Sequence, residues 1–158
     1  MKFYTGVGSR NTPSDILAVM TTVANKLSRC GYALRSGGAT GADTAFARGS
    51  LQSEIYRPEH ATPESLKLAA SVHPAWNRCS EYAKKLRARN CFQVLGRNLD
   101  TPSDFLLCWT PDGCTGKHNR SISTGGTATA IVLAEQRKIR VYNLKNPEHL
   151  KICLNWIK

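Results

Sequence analysis

The chain has 158 residues, of which 41% are hydrophobic and 21% are charged, and this composition suits one folded domain with its own core. Lysines and arginines number 22 against 11 acidic residues, so the formal net charge of +11 favours anionic partners such as nucleotides or nucleic acid. The sequence excludes collagen, coiled coil and a disordered tail, and it has no apolar run near the ~20 residues of a membrane span.

Predicted strands and helices alternate along the whole chain. The strands cover residues 2–7, 32–36, 53–57, 104–109 and 139–144. The first helix is predicted to begin with Thr12 as N-cap and to end at Gly31, and a short second helix ends at about Gly49. Residues 58–75 are predicted as a loop with a helical stretch at 63–71, and further helices are predicted over 76–94, 127–137 and 147–157. This order predicts the α/β class: a single Rossmann-like three-layer domain, residues 1–158, with a parallel sheet of about five strands.

Glycine-rich turns stand where three of the predicted strands lead into helices. They are residues 6–10 after the first strand, 36–43 after the second, and 123–127 before the fifth helix. Glycine lets the backbone approach a ligand closely, and a helix start offers unpaired N–H groups, so the combination is typical of phosphate sites. Since the carboxyl ends of parallel strands share one edge of the sheet, we expect the three turns to converge there.

Polar side chains in and near these turns complete the predicted ligand site. Arg10 brings a guanidinium that can hold phosphate with two hydrogen bonds, and Lys117 and Arg120 are candidate mobile anion contacts in the long loop 110–123. The candidate ligand-binding residues are Gly8, Ser9, Arg10, Asn11, Arg35, Ser36, Gly37, Gly38, Ala39, Thr40, Gly41, Asp43, Thr110, Lys117, Arg120, Thr124, Gly125, Gly126 and Thr127.

One glycine-rich turn alone is explained equally well as a tight connection, so the prediction depends on the coincidence of three. The chain lacks the Gly-Lys-Ser/Thr ending of a Walker loop, and Asn11 stands where a dinucleotide fingerprint has its third glycine. Neither NAD nor another cofactor is therefore predicted. Asp43, the one carboxylate in these turns, is predicted to brace its loop or cap its helix, and Asp112 is predicted to be a turn residue.

Cysteines and histidines give no metal-binding pattern, because no C-x-x-C pair is present and the histidines do not cluster with the cysteines. Reduced buried thiols are predicted at Cys30, Cys91, Cys108 and Cys153, whereas Cys114 stands in a Gly-rich loop where exposure is the alternative. The first residues lack the apolar stretch of a signal peptide, so a cytoplasmic location is expected.

Motifs along nearly the whole chain resemble the SLOG superfamily. They are Gly8-Ser9-Arg10, residues 35–43, Gly125-Gly126-Thr127, and the segments 73–76, 89–90, 94–96 and 108–113. Within that superfamily the chain is most similar to the branch of DNA-processing protein A (DprA), especially its small stand-alone phage forms. The resemblance implies a Rossmann-like fold whose glycine pocket binds a nucleotide or nucleotide-derived ligand, such as a signalling nucleotide sequestered by a phage protein in the host cytoplasm. Relatives often pair, so a homodimer is compatible with it.

Two alternatives to simple binding stay open. Some relatives hydrolyse the N-glycosidic bond of a nucleotide, with the motif P-G-G-x-G-T-x-x-E at the third turn. Here Thr124 replaces the proline, Ala130 stands where the acid belongs, and Glu135 falls on another side of the helix, which counts against that mechanism.

The other alternative is a recombination mediator that binds single-stranded DNA. Between Arg78 and Arg97 there are six basic residues and one acidic residue, and this excess predicts either a solvated helix face or a phosphate track. The candidate track residues are Arg78, Lys84, Lys85, Arg87 and Arg89. Nearby aromatic rings stack on bases in such sites, although the spacing favours a core position for Phe92 and Trp109.

Overall fold

A five-stranded, all-parallel sheet forms the centre of the chain in the computed structural model, which describes residues 1–158. The strands are β1 (Lys2–Gly6), β2 (Tyr32–Ser36), β3 (Ser53–Ile55), β4 (Phe105–Cys108) and β5 (Arg140–Asn143), in the spatial order β3-β2-β1-β4-β5. In the centre of the sheet Thr5 lies beside Arg35 on β2 and beside Leu106 on β4. The predicted α/β, Rossmann-like fold is confirmed.

Six helices cover the two faces of the sheet. They are α1 (Ser14–Arg29), α2 (Ala42–Gly49), α3 (Pro63–Val72), α4 (Glu81–Leu95), α5 (Ala128–Gln136) and α6 (Pro147–Trp156). The α1, α2 and α6 side has one buried cluster, which includes Tyr4, Phe46 and Leu107, and the α3, α4 and α5 side has another, which includes Leu106 and Ile131. Successive residues of β4 thus pack into the clusters on opposite faces of the sheet, because side chains alternate across a strand.

The order of the strands reverses between β1 and β4. From β1 the chain proceeds outward to β2 and β3, and it then returns to β4 and β5 on the other side. The connections after β1 and β4 therefore leave the sheet in opposite directions, and a crevice opens between them beyond the strands' carboxyl ends. The first and third glycine turns lie at this crevice.

The ends of two helices differ from the prediction. The N-cap of α1 is Pro13, and the Thr12 hydroxyl instead donates to the Ser9 carbonyl at 2.6 Å, so it tightens the preceding turn. Residues 76–94 are not one helix. A single 3-10 turn, Trp76–Arg78, comes first, and α4 begins at Glu81 because the Ser80 hydroxyl oxygen accepts from the Ala83 amide at 3.1 Å.

β2 has the predicted bounds, and the other four strands are one or two residues shorter than predicted. Burial corrects the prediction for Cys30 and decides between the two alternatives for Cys114. Cys30 is exposed because it follows the last turn of α1, whereas Cys114 is fully buried under loop residues. Phe92 and Trp109 are core residues, as predicted. None of the helices has both the length and the apolar character needed to cross a bilayer.

Candidate functional site

The three glycine turns border one cleft at the crevice between β1 and β4. Its volume is about 690 Å³, and we call it the glycine cleft. Three connections contribute to it: loop 1 (residues 7–13), loop 2 (residues 37–41) and loop 3 (residues 109–127). The lining residues are Val7, Gly8, Ser9, Arg10 and Asn11 from loop 1, Ala39 from loop 2, Asp43 from α2, Pro111, Ser123, Thr124, Gly125, Gly126 and Thr127 from loop 3, Ala130 from α5, and Ala83, Leu86, Arg87, Arg89, Asn90 and Gln93 from α4.

Loops 1 and 2 meet at Gly41. A Cβ atom at this position would lie 2.8 Å from the Cα of Arg10 and 2.8 Å from the carbonyl oxygen of Ser9. The φ angle of Gly41 is +89°, which also disfavours any other residue. Glycine is therefore required here for the two backbones to touch.

Loop 1 is also fixed to the start of loop 3. The Ser9 amide donates to the Trp109 carbonyl at 3.1 Å, and a Cβ atom at Gly8 would lie 3.0 Å from the same oxygen. Within the loop, the Asn11 amide donates to the Ser9 hydroxyl at 3.0 Å. The amides of Gly8 and Arg10 donate to no acceptor in the protein, so loop 1 retains two free backbone donors beside the cleft.

Adjacent residues of α4 hold loops 2 and 3. Arg89 is buried, and its Nη1 donates to the carbonyls of Gly37 at 3.0 Å and Tyr56 at 2.9 Å. Asn90 Nδ2 donates to the Gly126 carbonyl at 2.8 Å, and Asn90 Oδ1 accepts from Arg89 Nε at 3.1 Å. One helix thus sets the positions of both loops.

Asp43 is the buried carboxylate of the glycine cleft. Its Oδ2 accepts from the Ala39 amide at 3.2 Å, which is the expected loop-bracing hydrogen bond, while the N-cap of α2 is Gly41. Burial raises the pKa of Asp43 to about 6, although the Ala39 amide and the Arg89 guanidinium both act to lower it. A pKa of about 6 means that this carboxyl group changes its charge state just below neutral pH.

Asp112 is more than the turn residue that the sequence predicts, because it organises loop 3. Its carboxylate accepts hydrogen bonds from the hydroxyls of Ser121, Thr124 and Thr110 and from the Cys114 amide. Burial acts to raise the pKa of Asp112, but these donors outweigh it and lower the pKa to about 2. The charged carboxylate ties the two ends of loop 3 together.

Most of the predicted ligand-binding residues lie at or beside the glycine cleft. Those that line it are Gly8, Ser9, Arg10, Asn11, Ala39, Asp43, Thr124, Gly125, Gly126 and Thr127. Gly37, Gly38 and Gly41 shape loop 2 behind the lining, and Thr40 is exposed and does not line the cleft. Ser36 is fully buried, and its hydroxyl donates to the Gly6 carbonyl at 2.5 Å, so it joins β1 and β2.

The structure corrects Arg35 and Thr110 from ligand contacts to structural residues. Arg35 is 2% exposed, and its guanidinium donates to Glu54 at 3.3 Å and to the Thr101 carbonyl at 2.5 Å. The Thr110 hydroxyl is fully buried between Asp112 and Asn143. Arg35 faces the α4 side of the sheet because alternate residues of β2 face opposite sides, and its guanidinium reaches Thr101 and Ser103 before β4, which do not line the cleft.

The basic candidates divide into three groups. Lys117 and Arg120 line a neighbouring cleft on the other side of loop 3, and Arg87 lines both clefts. Arg89 does not belong to a surface track, because it is buried against loop 2. Arg78, Lys84 and Lys85 remain at the surface, where Lys84 pairs with Glu81 at 3.6 Å.

Two lining residues, Asn90 and Gln93, are absent from the predicted ligand site. Gln93 is 1% exposed, and its Oε1 has no hydrogen-bond donor. Both are amide side chains at a spacing of three within the buried half of α4, and that pattern was the available signal. Ala130 lines the cleft, whereas Glu135 accepts from the Lys117 amide at 2.9 Å outside it, so no carboxylate of α5 reaches the cleft.

Comparison of the chain with models of protein families, with curated proteins and with solved structures finds no match.

Proposed function

We propose that the glycine cleft binds a phosphorylated nucleotide or a nucleotide-derived ligand, with a phosphate group held by loops 1 and 3. The free amides of Gly8 and Arg10 and the Arg10 guanidinium supply donors for an anion. The cleft volume of about 690 Å³ lies within the range of small-molecule sites. The resemblance to the SLOG superfamily leads to the same ligand class, which includes signalling nucleotides.

The main support for this proposal is the open space around Gly126. A Cβ atom at Gly126 would meet no atom within 4 Å, and its backbone does not adopt a positive φ angle. Neither packing nor backbone conformation therefore requires glycine at this position, in contrast to Gly41. Close approach of a ligand to the loop 3 backbone accounts for glycine at this position.

Substitution of Gly126 tests the proposal. A Cβ atom at Gly126 would meet no neighbour, so Gly126→Ala puts a carbon atom into the open space of the cleft without a clash, and Gly126→Val adds two more. We expect the melting temperature of the alanine variant to stay within a degree or two. We expect affinity for AMP, measured by calorimetry at moderate salt, to fall about tenfold with alanine and further with valine. A panel of nucleoside mono- and diphosphates and a short single strand extends the measurement to the rest of the ligand class.

Gly31→Ala is the matched control. Gly31 follows α1, outside the cleft lining, at a φ angle of +87°, so alanine strains the backbone there without touching the ligand site. We expect this variant to lower the melting temperature and to keep nucleotide affinity, which is the opposite of Gly126→Ala. If no nucleotide and no strand binds the unmodified protein, the proposal is wrong.

Hydrolysis of a nucleotide N-glycosidic bond is the second candidate, and one observation favours it. Asp43 lines the cleft as a buried carboxyl group with a pKa of about 6, which is suited to general acid–base catalysis near neutral pH. Incubation with nucleoside monophosphates and NAD-like compounds, followed by chromatography, tests for release of the free base. Release that Asp43→Asn abolishes supports hydrolysis, and an unchanged substrate pool removes this candidate.

A further inference from the structure

A second cleft adjoins the glycine cleft. Its volume is about 670 Å³, and the two clefts share Arg87 and Gly125, so that only loop 3 and one side chain of α4 separate them. The basic residues that line it are His73, Arg87, Lys117 and Arg120, and no aspartate or glutamate lines it. We call it the arginine cleft.

Arg87 shows most directly what the arginine cleft is suited to bind. Its Nε and Nη1 atoms are shielded from solvent and have no hydrogen-bond acceptor, and the side chain forms no ion pair. Buried guanidinium donors without an acceptor are costly, and an anionic oxygen is the partner that satisfies them best.

Like charges gather around Arg87 without a counter-charge. Arg120 is half-buried, and its Nη1 donates to the Val72 carbonyl at 2.9 Å; burial and the charge of Arg87 lower the pKa of Arg120. Burial and both arginines lower the pKa of His73. Glu135, an acidic residue close to Lys117, is bound to the Lys117 amide and lies 3.5 Å from His118, so it neutralises neither arginine.

We infer that the arginine cleft is a second anion subsite, which takes a second phosphate group of the ligand held in the glycine cleft. This inference rests on the proposed function and narrows it to nucleotides with two separated phosphate groups, such as a 5′-phosphorylated dinucleotide. Gly125 supports the connection, because it lines both clefts and a Cβ atom there would meet nothing within 4 Å. A ligand can therefore pass over loop 3 from one cleft to the other.

Titration with inorganic phosphate, followed by amide NMR, tests each cleft separately. We expect one set of shifts at Gly8, Arg10 and Gly126, and a second set at Arg120, Ser121 and their neighbours. Shifts only in the first set overturn the second subsite and leave the proposed function intact. Shifts only in the second set support the subsite but contradict a phosphate site at loops 1 and 3.

Comparison of AMP with the dinucleotide pApA tests whether one ligand occupies both clefts. We expect pApA to bind at least tenfold more tightly than AMP. Arg120→Gln should remove about tenfold of the pApA affinity and Lys117→Ala two- to threefold, while AMP affinity changes less than twofold. Equal losses for both ligands, or equal affinities in the unmodified protein, overturn the inference.

Control variants separate the loss of an anion contact from a change in folding. Arg120→Lys keeps the charge and should restore part of the pApA affinity. Lys117→Ala removes an exposed side chain that makes no hydrogen bond, so the Lys117 variant remains informative if Arg120→Gln is unstable. Lys26→Ala removes an equally exposed charge near the end of α1, outside both clefts, and should change neither affinity. A ten-nucleotide single strand shows whether the phosphates come from a dinucleotide or from a longer nucleic acid. If the two clefts bind a dinucleotide, the strand should bind no more tightly than pApA, and Lys85→Glu should not change the affinity for the strand.

Discussion

Asp43→Asn is predicted to stabilise the fold at neutral pH. Burial raises the pKa of Asp43 from 3.8 to about 6, and a difference of two pKa units corresponds to about 3 kcal/mol. An acid with a raised pKa binds more protons in the folded state than in the unfolded state between these two values. Its contribution to stability is therefore fully present below pH 4 and is lost as the pH rises through 6. Asparagine carries no charge, so the variant avoids that loss.

Urea unfolding of both proteins between pH 4 and pH 8 measures the effect. The difference in unfolding free energy between Asp43→Asn and the unmodified protein should be close to zero at pH 4 and reach roughly 2–3 kcal/mol above pH 7. Using the difference is essential, because His73 and His149 have lowered pKa values and act in the opposite direction below about pH 6.5. Their contributions cancel between the two proteins.

A difference that does not change with pH would contradict this prediction, because it would mean that the cleft does not desolvate Asp43. The same variant removes a negative charge from the glycine cleft. We therefore expect it to bind AMP more tightly at pH 7.5, and this result distinguishes an anion site from a site where Asp43 holds a ribose hydroxyl.

Two further substitutions separate the architecture of the site from ligand contact. Gly41→Ala should lower both the melting temperature and AMP affinity, because its Cβ atom would clash with the loop 1 backbone, whereas Gly31→Ala, at nearly the same φ angle, should lower only the melting temperature. Arg35→Met should destabilise the fold by about 2–4 kcal/mol in urea unfolding, since it removes the charge paired with Glu54 and leaves the Thr101 carbonyl without its donor, yet AMP affinity should remain unchanged. If Arg35→Met lowered AMP affinity without lowering stability, Arg35 would be a ligand contact and not a structural residue.

The sequence was sufficient for the fold because its signals are local and repeated. Apolar strands alternate with capped helices, and the glycine turns between them require a common edge once the sheet is parallel. The convergence of Gly8, Asp43 and Gly126 on one cleft follows from that topology. The contact of Gly41 with Arg10 is a consequence of the same arrangement.

The directions of individual side chains at the site could not be predicted from the sequence. Arg35 stands next to a glycine turn in the chain, but its guanidinium bonds to Glu54 and to the Thr101 carbonyl, neither of which lines the cleft. Arg89 belongs to a basic run, yet its place in the buried half of α4 turns it into an internal brace. The hydrogen-bond network around the Asp112 carboxylate depends on hydroxyls that come together only when loop 3 is folded, so no local sequence pattern indicates it.

The helix α4 explains why the site can be ready for its ligand before binding. Ala83, Leu86, Asn90 and Gln93 all line the glycine cleft, and their spacing of three, four and three residues forms one stripe on the helix. Asn90 and Gln93 belong to the last eight residues of α4, which are buried, so this part of the stripe cannot move without disrupting the core. The same helix fixes loops 2 and 3 through hydrogen bonds, and loop 1 in turn contacts loop 2 at Gly41 and bonds to the Trp109 carbonyl, so the backbone groups around the cleft are held in place before a ligand binds. A ligand that meets them has little of the protein left to order, and its affinity should depend mainly on how many anionic groups it presents.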